Sequence, residues 1–227
     1  MSLVFGYLFE WEGVEDDPGR QRSASFRAAL LAVKSFRFVA DLSQHGAPKW
    51  SVYHFLTPKP FLGQEADTLN MDVPYTYSLY VRVNERTHTI VVAGARYTIT
   101  EEAVKTFNAF NKPGLQRKVI NIRGLSEHLM EVGTEKQFAV TYLLADVPGY
   151  GSSLNSMALM GDDVGAADFM VEERARLTAR QLGVRSVASR AECGRFGSLG
   201  SVQFRTDCLQ DFESFLGYAY QSGYYIS

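Results

Sequence analysis

Tyr75-Thr76-Tyr77-Ser78-Leu79-Tyr80-Val81-Arg82-Val83 alternates large apolar side chains with smaller or more polar ones. A period of two puts each set on its own face, so the segment predicts a β-strand with one dry face. His88-Thr89-Ile90-Val91-Val92-Ala93 follows after a short polar turn. Two such runs that close in sequence predict an antiparallel hairpin.

On the N-terminal side, residues 3–11 are apolar and aromatic and suit a buried strand. Glu10, Glu12, Glu15, Asp16 and Asp17 bunch before Pro18-Gly19. They read as a solvated loop, because a calcium loop needs alternating oxygen ligands around a turn glycine. Over 23–41, Phe26, Ala29, Leu30, Val33, Phe36 and Ala40 recur at helical spacing and predict one helix. Residues 50–56 predict a strand ended by Pro58 and Pro60, and 57–73 carries no pattern. The chain reads as one globular unit over 1–227, with 57–73 as its candidate internal boundary, between 1–60 and 74–227.

On the C-terminal side, Thr100 is the expected cap of a helix over 101–111 that Lys112-Pro113-Gly114 stops. Residues 118–124 predict a strand, and Ser126 is the expected cap of a short helix ending at Gly133. Residues 138–147 predict a strand buried on both faces, and 156–160 another. A helix beginning at Asp162 or Asp163 has two readings. It runs to Leu182, or it ends near Glu173 and a strand starts near Arg174. The strand reading is preferred, with Ala175, Leu177 and Ala179 inward and Arg174, Arg176 and Arg180 outward. Strands over 184–192 and 201–206 are expected to flank a glycine-rich loop. Asp207 is the expected cap of a helix over 208–221, and Tyr224-Tyr225-Ile226 is too apolar to hang free. Hairpins mixed with helices give an α+β class: mostly antiparallel sheets packed against about four helices.

Composition narrows the function. Hydrophobic residues make up 46% of the 227, enough for a core without disulfide or metal staples. The net charge of −2 demands no nucleic acid, so an electrostatic partner has to be sought in local patches. Cys193 and Cys208 match no zinc spacing and are too few for a disulfide framework. The N-terminus lacks a basic region and cleavage site, and no run nears the roughly 18 apolar residues of a membrane span. A soluble, cytoplasmic protein without membrane partner or cofactor is expected.

The most informative segment is 174–205. It holds Arg174, Arg176, Arg180, Arg185, Arg190, Arg195 and Arg205, no lysine, and one acid, Glu192. Within it lies Gly194-Arg195-Phe196-Gly197-Ser198-Leu199-Gly200-Ser201. Glycines let backbone amides approach an anion, and arginine supplies paired donors for phosphate. Phe196 adds a ring on which a base could stack. Arg174, Arg176, Arg180, Arg190, Gly194, Arg195, Phe196, Gly197 and Gly200 are therefore the candidate anion site, with nucleic acid as the first partner. The competing reading is ordinary: glycines make turns, and residues 126–173 hold nine acids with which outward arginines can pair. The glycine spacing matches neither the phosphate-loop nor the dinucleotide pattern.

Two alternatives stand beside a non-catalytic, nucleic-acid-binding role. One is a protein-interaction or structural subunit, self-associating through its aromatic strands. The other is a metal-dependent phosphodiester enzyme using Asp162 and Asp163, with Asp146 as the one other acid to group with them. The histidines His45, His54, His88 and His128 stand at no metal-ligand spacing, and no nucleophile-elbow motif surrounds any serine.

Overall fold

The computed structural model describes residues 2–12, 22–42, 49–58, 74–131, 136–147, 156–166 and 176–226. The chain divides into two compact units, Val4–Arg117 and Lys118–Ser227, the second including Met1–Leu3. Most of 57–73, the candidate boundary, lies outside the described residues. Four α-helices and antiparallel sheet make up the described residues, an α+β fold. No helix among them is long and apolar enough to cross a membrane.

The N-terminal unit runs β1 (Leu3–Trp11), α1 (Arg22–Ala32), β2 (Phe36–Leu42), β3 (Trp50–Thr57), β4 (Tyr75–Asn84), β5 (Thr89–Gly94), α2 (Tyr97–Phe110) and β6 (Leu115–Arg117). Its strand order is β2-β3-β4-β5-β1-β6. Without the β2-β3 hairpin this is a strand-helix-strand-strand-helix-strand unit whose first strand lies between the third and the last. The hairpin β4-β5 forms as expected, Val83 opposite Ile90. Asn84 closes its turn by accepting the amides of Arg86 and Thr87. The dry face of β4, Tyr77, Leu79, Val81 and Val83, packs with Phe26 and Leu30 of α1 and Ile99, Ala103 and Phe107 of α2.

The expected helix over 23–41 stops at Ala32, and Phe36–Leu42 is strand β2. Phe36 satisfies both periods, and pairing with β3 gives this aromatic-rich run a ladder on one side, with one bulge between Phe38 and Ala40. The helix expected at 101–111 begins earlier, at Tyr97, and Thr100 does not cap it. The Thr100 hydroxyl instead donates to the Phe5 carbonyl, 2.9 Å away.

The C-terminal unit runs β7 (Val119–Ile120), α3 (Ile122–Glu131), β8 (Phe138–Asp146), β9 (Ser156–Met160), a short 3-10 turn (Val164–Ala166), β10 (Thr178–Ser186), β11 (Glu192–Gly197), β12 (Ser201–Arg205), α4 (Leu209–Gln221) and β13 (Tyr225–Ile226). The order of its main sheet is β9-β8-β10-β11-β12, all antiparallel. The end of the chain docks as expected, β13 pairing with β7. Asn121, not Ser126, caps α3: its side chain accepts the Gly124 amide at 3.0 Å. Ser126 lies inside the helix and bonds back to the Arg123 carbonyl. Asp207 does not cap α4 either, because its carboxylate is taken by Arg205.

The glycine-rich segment is the main correction. The strand expected at 184–192 is two strands, β10 ending at Ser186 and β11 starting at Glu192, so Gly194-Arg195-Phe196-Gly197 is strand, not loop. Only the turn around Gly200, at φ 73°, remains between β11 and β12. The strand reading of β10 holds from Thr178: Leu177 and Ala179 are buried, Arg176 and Arg180 exposed.

Candidate functional site

Register sorts the C-terminal sheet into transverse rows. Val202, Phe196, Leu182 and Leu143 stand opposite one another on successive strands and are all buried. The neighbouring row is Gln203, Arg195, Gly183, Tyr142 and Met160. Adjacent residues of a strand point to opposite faces, so this second row lies on the face away from the core. A third row, Gly197, Gln181, Leu144 and Ala158, shares that outward face.

The outward row has a built centre. The Arg195 guanidinium lies 4.4 Å from the centroid of the Tyr142 ring, reaching across Gly183. A cation held against an aromatic face keeps its edge donors pointing outward. No ion pair joins Arg195 to a carboxylate among the described residues. Arg195, Gln203, Arg205 and Gly194 line a shallow cleft of about 200 Å³, with Glu192 at its side. Gly194 sits at φ 138°, where a side chain is strained, and marks the bulge between β10 and β11.

The other candidate residues go elsewhere. Arg180 Nε donates to Asp146 Oδ2 at 2.6 Å. Arg185 holds Asp162 through Oδ1 at 3.1 Å and the main-chain oxygen at 2.9 Å. Arg205 grips Asp207 with both Nε and Nη2, and that grip holds the Asp207 carboxyl below its usual range. Arg190 lies in the turn between β10 and β11 at φ 59°. From Arg180 to Ser186 the strand covers about 20 Å, so Arg180 and Arg190 stand at opposite ends of the sheet. Arg174 lies outside the described residues. Phe196 is fully buried, 5.6 Å from Phe212 and 4.6 Å from Phe215 by ring centroids, and offers no face to a base. Gly197 packs beside Ser201 in the ladder.

Tyr142, Gln181 and Gln203 are the residues that sequence reading missed. Residues 138–147 read as buried on both faces, yet Tyr142 is half-buried and faces outward. The hydroxyl of a lone tyrosine in an aliphatic strand was the available signal.

The carboxylates of the metal alternative are apart. Asp163 accepts Lys136 at 3.0 Å and caps Gly165. Asp146 is opposite Ser156 while Asp162 follows Met160, at the other end of β9. Among the described residues no three His, Cys, Asp or Glu side chains group at metal-binding distance. Cys193 is buried, and burial with the nearby Asp211 charge pushes its thiol up to about 12, the reverse of an activated nucleophile.

The chain matches no known protein-family model and no curated protein.

Proposed function

We propose that the chain is a non-catalytic binding protein of the cytoplasm that contacts single-stranded nucleic acid on the outward sheet face of its C-terminal unit. The observation that carries the reading is Arg195: stacked on Tyr142 and unmatched by a carboxylate among the described residues. Around it, Gln181, Gln203 and Ser201 offer hydrogen-bonding groups, and the two outward rows contain no acid. Open sheet faces with an aromatic and a cation suit splayed bases and their phosphates. Two free cysteines fit a reducing compartment.

The contact is local, since Arg180, Arg185 and Arg205 already hold carboxylates. Binding should therefore show a shallow salt dependence, that of one or two phosphates rather than a basic groove. Fluorescence anisotropy with labelled single-stranded RNA and DNA at low salt tests this. Arg195→Ala is expected to weaken binding roughly tenfold, and Arg180→Ala to leave it unchanged. No binding of either oligonucleotide, or equal binding by wild type and Arg195→Ala, overturns the proposal.

A second reading is favoured by β9. Ser156-Met157-Ala158-Leu159-Met160 is an edge strand in the described sheet, uncharged, with Met160 76% exposed. Edges of this kind pair with further strands unless charge or proline blocks them. A second copy of β9, antiparallel about Ala158, would bring no like charges together. Sedimentation velocity should then show concentration-dependent dimers that Ala158→Lys abolishes; a wild-type monomer throughout removes this reading.

A further inference from the structure

The N-terminal unit carries a cleft unrelated to the outward face just described. It measures about 370 Å³ and is bounded by the first turn of α1 and by β3 and β4. Phe26, Val81 and Val83, core residues at most 7% exposed, form its apolar floor. Arg27, Lys49, Ser51, Tyr53 and Glu85 supply polar groups around it. Polar groups beside an apolar surface, at this volume, are the general make-up of a small-molecule cleft.

Its cations are set in place by the fold. Asp41 receives Lys49 Nζ at 2.7 Å, Arg27 Nη1 at 3.5 Å and the Ser51 hydroxyl at 2.7 Å. Burial pushes the Asp41 carboxyl up, but the bonds from Lys49 and Ser51 and the charges of Lys49 and Arg27 outweigh it and hold it below the usual range. One carboxylate thus organises two cations and a hydroxyl. The Arg27 guanidinium also lies 3.8 Å from the Phe38 ring centroid, which fixes its plane. Lys49 keeps 62% of its side chain exposed at the rim.

Glu85 plays the opposite part. It accepts the Ser23 amide at 2.7 Å, satisfying the start of α1 with the protein's own carboxylate. Its negative charge lines the same cleft as the cations Arg27 and Lys49. With Asp41 between Lys49 and Arg27, that side keeps one net positive charge for an entering anion, and Glu85 repels it.

We propose that this cleft binds a phosphorylated small molecule of nucleotide size, its phosphate on Lys49, Arg27 and Ser51 and its organic part against Phe26, Val81 and Val83. The phosphate matches the one positive charge left where Lys49 and Arg27 share a single carboxylate, whereas Arg180, Arg185 and Arg205 each have one to themselves. The organic part follows from a volume that exceeds what a lone phosphate fills and from the apolar side.

Isothermal titration calorimetry of the full chain with adenosine monophosphate, inorganic phosphate and adenosine decides it. Saturable binding is expected for the monophosphate, weaker binding for phosphate, and none for adenosine at equal concentration. Lys49→Ala should weaken the monophosphate about tenfold, the loss of one charge-assisted bond. Lys49 is at the rim, so this variant should fold. Glu85→Gln, which keeps the acceptor for Ser23 and removes the charge, should tighten binding. Arg195→Ala should not change it, which separates this site from the nucleic-acid face. No saturable heat with the monophosphate, or Lys49→Ala and Glu85→Gln both binding like wild type, overturns the proposal.

Discussion

Phe196→Ala is expected to destabilise the C-terminal unit by about 3–5 kcal/mol, the range for truncating a fully buried phenylalanine. Phe196 stands at the middle of a chain of ring contacts. Phe204 meets Phe212 at 4.2 Å, Phe212 meets Phe196 at 5.6 Å, Phe196 meets Phe215 at 4.6 Å and Phe215 meets Phe138 at 5.2 Å. Two of these rings come from α4 and three from the sheet, so the alanine opens a void where the helix seats on the strands. Part of the loss is transfer of the ring from the core, part is the cavity that rigid neighbours cannot close. Domains are stable by about 5–15 kcal/mol, so the variant should be marginal. Urea unfolding followed by circular dichroism would show a lower midpoint at unchanged slope. A loss under about 1 kcal/mol would mean that Phe196 is not the keystone of this core, and would reopen its reading as a base-stacking ring.

That one residue shows where sequence reading stops. The β4-β5 hairpin was legible because its alternation has no helical interpretation and its turn is short. The docking of Tyr224-Tyr225 was legible because so apolar an end has to be covered. Phe36 was not, since it stands ten residues after Phe26 and three after Val33 on a helical stripe and also opens the Phe36, Phe38, Ala40 alternation of a strand. Glycine composition misled more seriously. At 194 a glycine answers a bulge, at 197 a tight cross-strand neighbour, and at 200 a turn, three different demands that look identical in one dimension. The arginines failed for a related reason. Whether Arg180 is free depends on β8 pairing with β10 in a register that brings Asp146 beside it, and no local pattern encodes that pairing. The acids of 126–173 were a visible pool of partners, and Asp146 and Asp162 do come from it. Which arginine each would take was not visible.

Gly183→Ala is expected to cost about 1–3 kcal/mol, as overpacking does, and, under the proposed function, to weaken nucleic-acid binding as much as Arg195→Ala. Gly183 is in mid-strand, where alanine would ordinarily stabilise slightly by restricting the unfolded chain. Here a Cβ would meet the Tyr142 Cβ at 2.6 Å and the Arg195 Cγ at 3.5 Å. The first distance is below any real contact, so Tyr142 has to move, and with it the ring on which the Arg195 guanidinium rests. The bare position on β10 is thus what lets side chains of β8 and β11, two strands apart, touch above the sheet. A double-mutant cycle isolates the effect. In a Tyr142→Gly background the Cβ that clashes is gone, so Gly183→Ala should cost much less there than in the wild type, a coupling above about 0.5 kcal/mol. Additive losses would mean that the glycine serves the backbone alone. The stacked arginine would then be an accident of packing, and the outward face would lose the one feature that distinguishes it from any solvated sheet.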